Sequence, residues 1–520
     1  MGVYRIRWRR LAQLRRAWIP GALIPINTVA PVASGTPEVA EVLSCTTGTW
    51  TNSPTSYTYQ WQRDNSGGGT YSDIAAATSS TYVLVSADTD CNVRCQVTAH
   101  NTVGASYPAA SNALGLVTAR YYELGSDLPA VLIEIDFDHD PTSTSFTWTD
   151  VTAYVREFSL HRGRPDTLSQ PAPGTLALTL KNTDDRFTPT NTAGAYYPNV
   201  LPMRRIRVRA KWNSVAYNLF TGYVEDWPLS FPDMNRNALV TVQASDAFAV
   251  LNLTDLGGQS YAAQLSSARA TAVFGFAGFN TWNASTGQDT IVASGTIAYG
   301  TMALPHVQDV AQSESGLVYA DAGGTLRFQD RQYRFTNNAT SVGTVGTGGG
   351  MIGYQDLTTS YGVSNLWNSI RVTANGGTAE TATDASSTAS YYKRTLDWPP
   401  GGSYLVASQA VALSAAQAIL ASYKNPALRV PEVVTVPAGA TANWPTVLAL
   451  DLSDRMTLSH ITPGGGTILG SKHVEGVTHD VSFERTWDAT LALSDATSAG
   501  VWVLGNATYS LLGESTILSY

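Results

Sequence analysis

The residues best suited to chemistry stand together at the end of an apolar run. They are three carboxylates and one imidazole, Asp136, Asp138, Asp140 and His139. Such groups bind divalent cations. If the strand that starts near Val131 continues, alternation places the three carboxylates on one face and the imidazole on the other. A strand that runs into an acidic loop explains the same residues without a metal, so we predict no metal site.

Signatures of catalysis do not occur elsewhere in the sequence. There is no His-Glu-x-x-His helix, no Gly-x-Ser-x-Gly elbow and no Walker loop. Nothing marks a pair of carboxylates like that of a glycosidase. Single acids near strand ends (Asp451, Asp454 and Asp495) fit turns, and so do the glycine runs at 67–69, 348–350 and 464–466. We predict no enzymatic activity, no catalytic residue and no cofactor.

The elements that carry these residues form a strand-rich pattern that occurs twice. The first copy reads Met203-Arg-Arg-Ile-Arg-Val208, then a strand around Gly222, then a strand that ends in Ser245-Asp-Ala247. The second copy reads Ser453-Asp-Arg-Met-Thr-Leu458, then a strand around Gly476, then Ser494-Asp-Ala496. A duplicated β module is typical of a protein that builds a quasi-symmetric assembly.

Composition supports a β-rich assembly protein of three or four domains. The chain has 520 residues, of which 43% are hydrophobic and only 14% are charged. Its net charge of −8 argues against a dedicated nucleic-acid binder, which would normally be basic. Three cysteines in the first hundred residues do not make a disulfide-rich scaffold. The sequence contains no run of eighteen apolar residues, so we expect no transmembrane helix.

Residues 1–21 are interpreted as a basic arm that docks on another molecule. The first eighteen residues hold six arginines and no acid. Pro20 and Pro25 interrupt the apolar run that a signal peptide would need. A signal peptide and plain disorder remain the alternatives.

Residues 22–118 predict a β-sandwich of the immunoglobulin type. Cys45, Trp61 and Cys95 stand in the Cys…Trp…Cys order of such a core. The stretch resembles bacterial immunoglobulin-like modules of surface and phage proteins, but Val93 occupies the place of the corner tyrosine. The sequence leaves open whether Cys45 and Cys95 are bonded. Several aromatic residues here could stack on sugars or could belong to the core: Trp50, Tyr57, Tyr59, Tyr71 and Tyr82.

The remaining boundaries follow from changes of period. We expect a first β domain at 119–256, a linker with an α+β insert at 257–358, a second β domain at 359–496 and C-terminal strands, a hairpin or docking strand, at 497–520. Leu304, Val307 and Val310 predict a helix that ends near Gly316. Residues 317–320 and 326–329 predict a hairpin, and residues 407–423 predict a helix inserted in the second domain.

The strand at 205–212 carries a basic row, Arg205, Arg207, Arg209 and Lys211, which alternates with apolar residues. Alternation places the four cations on one face of the sheet. Three roles are compatible with this: a solvated face with weak ion pairs, a row of salt bridges between subunits, or a lumen that contacts DNA. We retain the four as candidate subunit-interface residues.

A series of motifs in chain order resembles the minor tail proteins, or baseplate hubs, of actinobacterial long-tailed siphophages, over about residues 120–520. The motifs begin Val151-Thr-Ala-Tyr-Val155, Arg162-Gly-Arg164, Leu178-Thr-Leu-Lys-Asn182, Asp185-Arg-Phe-Thr-Pro189, Tyr196-Tyr-Pro-Asn199 and Met203-Arg-Arg205. They continue with Phe220-Thr-Gly-Tyr-Val224, Phe328-Gln-Asp-Arg331 and Trp502-Val-Leu-Gly505.

The resemblance implies a fold and a function. The fold is mainly β, with an immunoglobulin-like sandwich followed by two tube-like β-barrel hub domains and a small α+β insert between them. Three chains would form a pseudo-hexameric ring that caps the tail tube, with DNA passing through it. Implied partners are the distal tail protein, the tail tube, the tape measure protein and other tail-tip proteins, in the virion at the tail tip after assembly in the host cytoplasm. Two alternatives remain: an adhesin whose immunoglobulin-like module binds host glycans, and a tail-associated wall hydrolase.

Overall fold

A computed structural model describes residues 23–64, 68–232, 237–435, 441–496, 500–501 and 516–517. The expected basic arm at 1–21 lies outside these residues. The chain divides into two compact units, 1–120 and 121–520, and it is mainly β, as predicted. No helix in the described ranges is long and apolar enough to cross a membrane.

The N-terminal unit has two main sheets around one core. Its strands are β1 Asn27–Val29, β2 Ala33–Ser34, β3 Val42–Cys45, β4 Thr49–Trp50, β5 Ser56–Asp64, β6 Tyr71–Asp73, β7 Thr81–Val83, β8 Val93–Asn101, β9 Gly104–Ala105 and β10 Ala109–Ala110. One sheet has the order β2-β3-β7 and the other β10-β8-β5-β6, while β1 pairs with β4 and β9 with β8. A 3-10 turn, Ser86–Asp88, leads towards β8. Strict alternation along β8 buries every second side chain between the sheets.

The C-terminal unit, residues 121–520, contains two repeated β modules, here called the first and the second β unit. It begins with the first β unit. Its strands are β11 Ala130–Asp136, β12 Trp148–Asp150, β13 Val155–Gly163, β14 Ala172–Lys181, β15 Arg205–Trp212, β16 Val215–Asp226, β17 Leu229–Ser230 and β18 Leu239–Ser245. A 3-10 turn, Thr152–Tyr154, precedes β13.

A helical subdomain follows. It has α1 Phe248–Leu253, β19 Ser260–Tyr261, β20 Gln264–Leu265, α2 Ser266–Phe276, β21 Trp282–Ala284, β22 Thr290–Ile291, β23 Gly295–Thr296, α3 Ala303–Ser313, β24 Leu317–Ala320, β25 Leu326–Gln329 and α4 Tyr333–Thr336. The predicted helix and hairpin are confirmed as α3 and the antiparallel pair β24–β25. Residues 257–300, the part expected as a linker, hold α2 and several two- or three-residue strands.

The second β unit starts with β26 Ser341–Gly346 and β27 Tyr354–Ser360. The chain then returns to the helical subdomain through β28 Ser369–Thr373, β29 Ala379–Thr383, α5 Ala385–Tyr391, β30 Thr395–Trp398 and α6 Gln409–Tyr423. The second β unit closes with β31 Arg429–Thr435, the 3-10 turn Thr441–Asn443, α7 Trp444–Ala449, β32 Arg455–Ile461, β33 Thr467–Ser482 and β34 Thr486–Asp495.

The expected boundary at 358/359 differs from this arrangement. Residues 370–416 contribute Ile370, Val372 and Ala416 to the same apolar core as Phe274 of α2 and Val307 of α3. The strands β26 and β27, which precede that stretch, belong to the large sheet. Apolar burial therefore joins two stretches of chain that the sequence separates.

At the C-terminus, β35 Gly500–Val501 and β36 Thr516–Ile517 pair in parallel. A hairpin joins antiparallel strands, so the hairpin expected at 497–520 is not what these four residues form.

The two β units have the same strand order, but their first strands differ in direction, since β11 is antiparallel to β15 whereas β26 is parallel to β32. The first runs β11-β15-β16-β18-β14-β13 and the second β26-β32-β33-β34-β31-β27. The likeness extends to the backbone. Met203 and Ser453 both adopt positive φ, at 61° and 74°. Their amides donate to the carbonyls of Val224 and Val474, at 2.6 and 2.8 Å.

This pairing corrects the predicted alignment of the repeat. Tyr223 lies opposite Arg205, and His473 lies opposite Arg455. Tyr223 is therefore the counterpart of His473, whereas matching Gly222 with Gly476 shifts the strand by four residues. The sequence alignment was misled because β33 continues beyond its bulge, while the first unit divides the same path into β16 and β17.

Candidate assembly site at the junction of the two β units

The two β units are joined by one long antiparallel ladder. Residues 157–163 of β13 pair with residues 476–482 of β33, from Glu157 opposite Ser482 to Gly163 opposite Gly476. The ladder merges both units into a single 14-stranded sheet. Leu160 and Val477, both fully buried, belong to the shared core beneath it.

Gly163 is required where the two strands meet. Its φ is +109°, and a Cβ atom there would lie 2.2 Å from the Glu475 carbonyl oxygen and 2.7 Å from the Gly476 Cα. Only glycine adopts such a backbone without strain and allows so close an approach. This explains why a glycine separates the two arginines of the motif Arg162-Gly-Arg164.

Those two arginines enter a buried ionic network, here called the junction network. Arg164 Nε donates to Glu475 Oε2 at 2.8 Å, and Arg334 Nη2 donates to the same oxygen at 2.9 Å. Ser494 Oγ donates to Glu475 Oε1 at 2.6 Å. Arg162 Nη1 donates to Asp451 Oδ1 at 2.9 Å. The network therefore ties β13 to the second β unit and to α4 of the helical subdomain.

A chain of side-chain hydrogen bonds through three neutral residues, Ser453, Gln329 and Tyr319, extends the junction network from Arg334 to Asp451. Arg334 Nε donates to Ser453 Oγ at 3.1 Å, and Ser453 Oγ donates to Gln329 Oε1 at 2.6 Å. Gln329 Nε2 donates to the Tyr319 hydroxyl at 3.1 Å. That hydroxyl in turn donates to Asp451 Oδ2 at 3.3 Å. Glu475 is a buried charge that is paired and hydrogen-bonded, because it accepts from the charged Arg164 and Arg334 and from Ser494. A buried charge is tolerated under that condition.

Charge, not burial, decides the ionisation of the central carboxylate. Burial alone would raise the pKa of Glu475, but the charges of Arg164 and Arg334 and their hydrogen bonds outweigh it. They hold the pKa of that carboxyl well below its usual range. Asp246 behaves in the opposite way, because burial raises its pKa to about 7 despite hydrogen bonds from Phe248 and Gly174. The junction network thus keeps Glu475 charged, whereas burial lets Asp246 retain its proton well above the usual pH range of a carboxyl.

The basic row lies on β15 as alternation predicts, with its apolar partners buried beneath the cations. Arg207 and Arg209 both pair with Glu134 of β11, at 2.6 and 2.8 Å. Arg207 also lies 4.2 Å above the Trp148 ring. The other two cations contact aromatic rings, Arg205 that of Phe146 at 4.4 Å and Lys211 that of Tyr121 at 5.3 Å. The row is stabilised within the chain, and its role between subunits stays a prediction.

The acidic cluster forms a turn. Asp136 ends β11, is buried, and accepts hydrogen bonds from the amides of Asp138 and His139 and from the His139 ring. Asp140 accepts from Thr142. Within the described ranges, no three His, Cys, Asp or Glu residues are arranged to hold a metal ion. The carboxylates expected on one strand face are separated because the strand ends at Asp136.

The core of the N-terminal unit contains Cys45, Trp61 and Cys95. Both cysteines are free thiols, and a hydrogen bond between them raises the pKa of Cys95. In place of a corner tyrosine before Cys95, the Tyr82 hydroxyl donates to buried Asp88 at 2.8 Å. Arg63 pairs with the other oxygen of that carboxylate at 2.9 Å.

Most of the aromatic residues proposed to stack on sugars are used by the core. Trp50, Tyr57, Tyr59 and Tyr82 pack against it and are partly buried. Tyr71 is covered by the Arg94 guanidinium at 3.9 Å. These contacts reduce the ring area open to a ligand.

The sequence revealed only parts of the junction network. Arg162 and Arg164 stood out as a motif, but Glu475, Arg334 and Ser453 carried no signal that linked them. The one available clue was the glycine between two arginines at the end of a strand, which marks a close backbone approach.

No family model and no curated protein matches the chain. Solved structures similar to it include the 43 kDa tail protein of prophage MuSo2 from Shewanella oneidensis, with 12% identity, a TM-score of 0.45, and 70% of this chain and 97% of that one covered. The tail protein from Neisseria meningitidis MC58 has 10% identity, a TM-score of 0.48, and coverage of 71% and 97%. The prophage tail protein gp18 from Listeria monocytogenes EGD-e has 10% identity, a TM-score of 0.40, and coverage of 70% and 95%.

Proposed function

We propose that the chain is a structural protein of a phage tail tip, a baseplate hub of the siphophage type. The observation that carries the proposal is the pair of β units with one strand order, joined by the β13–β33 ladder. Three chains would supply six such units, enough for a ring that continues a six-fold tail tube with three-fold symmetry. The motifs that resemble actinobacterial minor tail proteins support the same role.

The junction network suits this role because it fixes the angle between the first and the second β unit. Arg334 holds Glu475 through two parallel bonds, from Nη1 to Oε1 at 2.5 Å and from Nη2 to Oε2 at 2.9 Å. Such a bidentate pair defines geometry more tightly than a single-point contact does. A ring whose subunits passed DNA would need that angle to stay constant under load. The net charge of −8 fits a lumen through which DNA passes without being held.

The proposed partners are the distal tail protein, the tail tube and the tape measure protein, with other tail-tip proteins, in the virion. The N-terminal unit, with its immunoglobulin-like order of core residues, is proposed as a decoration that faces outward. No enzymatic step is proposed, since the junction carboxylates are occupied by arginines and by backbone amides.

Immunogold labelling tests the proposal. Antibodies to the N-terminal unit should place gold at the tail tip of intact particles, and purified full-length chain should form rings of three in electron micrographs. Gold absent from both intact and disrupted tails, with monomers in the micrographs, would contradict the hub. Label on disrupted tails alone would retain the hub and remove an outward role for the N-terminal unit.

An adhesin is the alternative, because Tyr107 of the N-terminal unit is 86% exposed and free chain could present it to a glycan. Specific binding of host cells by the full-length chain, lost in Tyr107→Ala, would favour the adhesin. Equal binding by both chains, or none, would count against it.

A further inference from the structure

The last strand of the large sheet repeats the strand that joins the two β units. Phe158 of β13 pairs with Leu178 of β14, and Leu357 of β27 pairs with Val433 of β31. Both strands carry a bulge at the same place, after Val155 and after Tyr354. β27 is therefore the counterpart of β13. Within the described residues it pairs only with β31, so no strand covers its outer edge, where the Leu357 amide donates to the exposed Asp356 side chain at 2.8 Å.

The first β unit holds the counterpart of the strand that receives β13. Leu229 lies opposite Val240, as His479 lies opposite Ala489, so residues 226–232 correspond to 476–482. On its other side this segment pairs with no strand in the part of the chain that the structure describes. The second β unit thus presents the joining strand, β27, and the first β unit presents the receiving segment, residues 226–232. At the junction the corresponding strands, β13 and β33, are already paired.

The backbone of the receiving segment is oriented for a further strand. The Pro228 carbonyl accepts from the Thr241 amide at 3.0 Å, so residue 228 directs its backbone groups towards β18. Alternation then directs the N–H and C=O groups of Leu229 and Phe231 away from β18, towards the open side. Pro228 and Pro232 have no backbone N–H, but both residues direct their backbone towards β18. They therefore remove no donor from the open side.

The side chains at the two edges match as well. At the junction, the charged pair Arg162–Asp451 lies where the ladder ends. Tyr361, which directly follows β27, is the counterpart of Arg162 and is 70% exposed. Leu201 of the first β unit is the counterpart of Asp451 and is 45% exposed. Phe231 is 49% exposed on the receiving segment and faces the position that Leu357 would occupy. Exposed apolar side chains on two complementary edges are typical of an interface.

We propose that β27 of one chain adds as an antiparallel strand to residues 226–232 of a second copy. The register copies the junction, with Leu357 opposite Phe231 of the partner subunit and Thr358 opposite Ser230 of the partner subunit. The contact is head-to-tail, so it generates a ring if it closes. The proposal rests on the hub function only for the number of chains in the ring.

Disulfide trapping with the full-length chain tests the register. Thr358 and Ser230 would form a non-hydrogen-bonded pair with Cα atoms about 4.5 Å apart, within the range of a disulfide. Chains with Ser230→Cys and chains with Thr358→Cys, mixed under mild oxidation, should give a covalent dimer. The double variant should shift the non-reducing gel band from one chain to three.

Each variant alone should stay monomeric on the gel, because a head-to-tail contact never brings the same residue together twice. Ser230→Cys mixed with Asp356→Cys is the matched control, since Asp356 is exposed on the same edge two residues out of register. The three native cysteines are buried and should not react.

The outcomes separate the strand contact from the hub. Covalent trimers support both, whereas covalent chains longer than three support the contact and contradict the three-chain ring. Trimers in solution that do not cross-link would overturn the contact and leave the hub. A monomer that does not cross-link would overturn both.

Discussion

Replacing Gly163 with alanine should loosen the joint between the β units. The new Cβ would lie 2.2 Å from the Glu475 carbonyl oxygen. Both close neighbours are backbone atoms, so no side-chain rotation relieves the overlap. A positive φ costs a non-glycine residue about 1–2 kcal/mol, and forced overpacking costs a further 1–3 kcal/mol or so. We therefore expect a loss of about 2–5 kcal/mol in the free energy of unfolding of the C-terminal unit, residues 121–520.

Gly470→Ala is the matched control, since Gly470 also lies on β33. A Cβ there meets no atom within 4 Å, and its φ is not positive. The same substitution should be neutral or stabilise the chain by roughly 0.5–1 kcal/mol through the unfolded state.

Urea unfolding of the full-length variants, followed by near-UV circular dichroism and fluorescence, measures the difference. Gly163→Ala should move the midpoint of the C-terminal unit to lower urea and leave the transition of the N-terminal unit in place. If both alanine variants unfold at the wild-type midpoint, the close approach at Gly163 does not hold the units together.

Three further predictions concern buried charge. Glu475→Gln leaves two arginines without their counter-charge and should cost about 3–5 kcal/mol in urea unfolding; an unchanged midpoint would contradict the network. Asp246 keeps its proton in the folded state between its unfolded pKa near 4 and its folded pKa of about 7, so it lowers stability as pH rises through that window. Relative to wild type, Asp246→Asn should therefore gain about 4 kcal/mol between pH 4 and pH 8, and a constant difference would refute this assignment. Glu134→Gln removes the shared carboxylate from two cations of the basic row and should cost about 1–3 kcal/mol, whereas Glu123→Gln, an exposed acid nearby, should cost almost nothing.

Local signals gave the elements, and long-range contacts decided their arrangement. The helical face of Leu304, Val307 and Val310 predicted α3 because the periodicity lies within eleven residues. Alternation predicted β15 and its buried apolar face for the same reason.

Contacts between distant segments left no comparable trace. Residues 363–424 join the helical subdomain because their apolar side chains meet α2 and α3, which lie many residues earlier. Similarly, α2 has a weakly apolar face and no capping side chain, so nothing local marks its start. The repeat was recognised, but its register depended on a bulge that only the pairing of β33 with β34 reveals.

The ladder between the β units also sets the order of events during synthesis. Glu157 is paired with Ser482, 325 residues later in the chain. At about 5–20 residues per second, a ribosome needs roughly 15–65 seconds to deliver that partner. Throughout this time the edge of β13 that will pair with β33 has no strand beside it, although β14 pairs with the other edge. Phe158 and Leu160 lie on this strand. The nascent chain is most exposed to aggregation in that interval, so slowing translation between β13 and β33 should lower the yield of folded protein more than slowing it after β34.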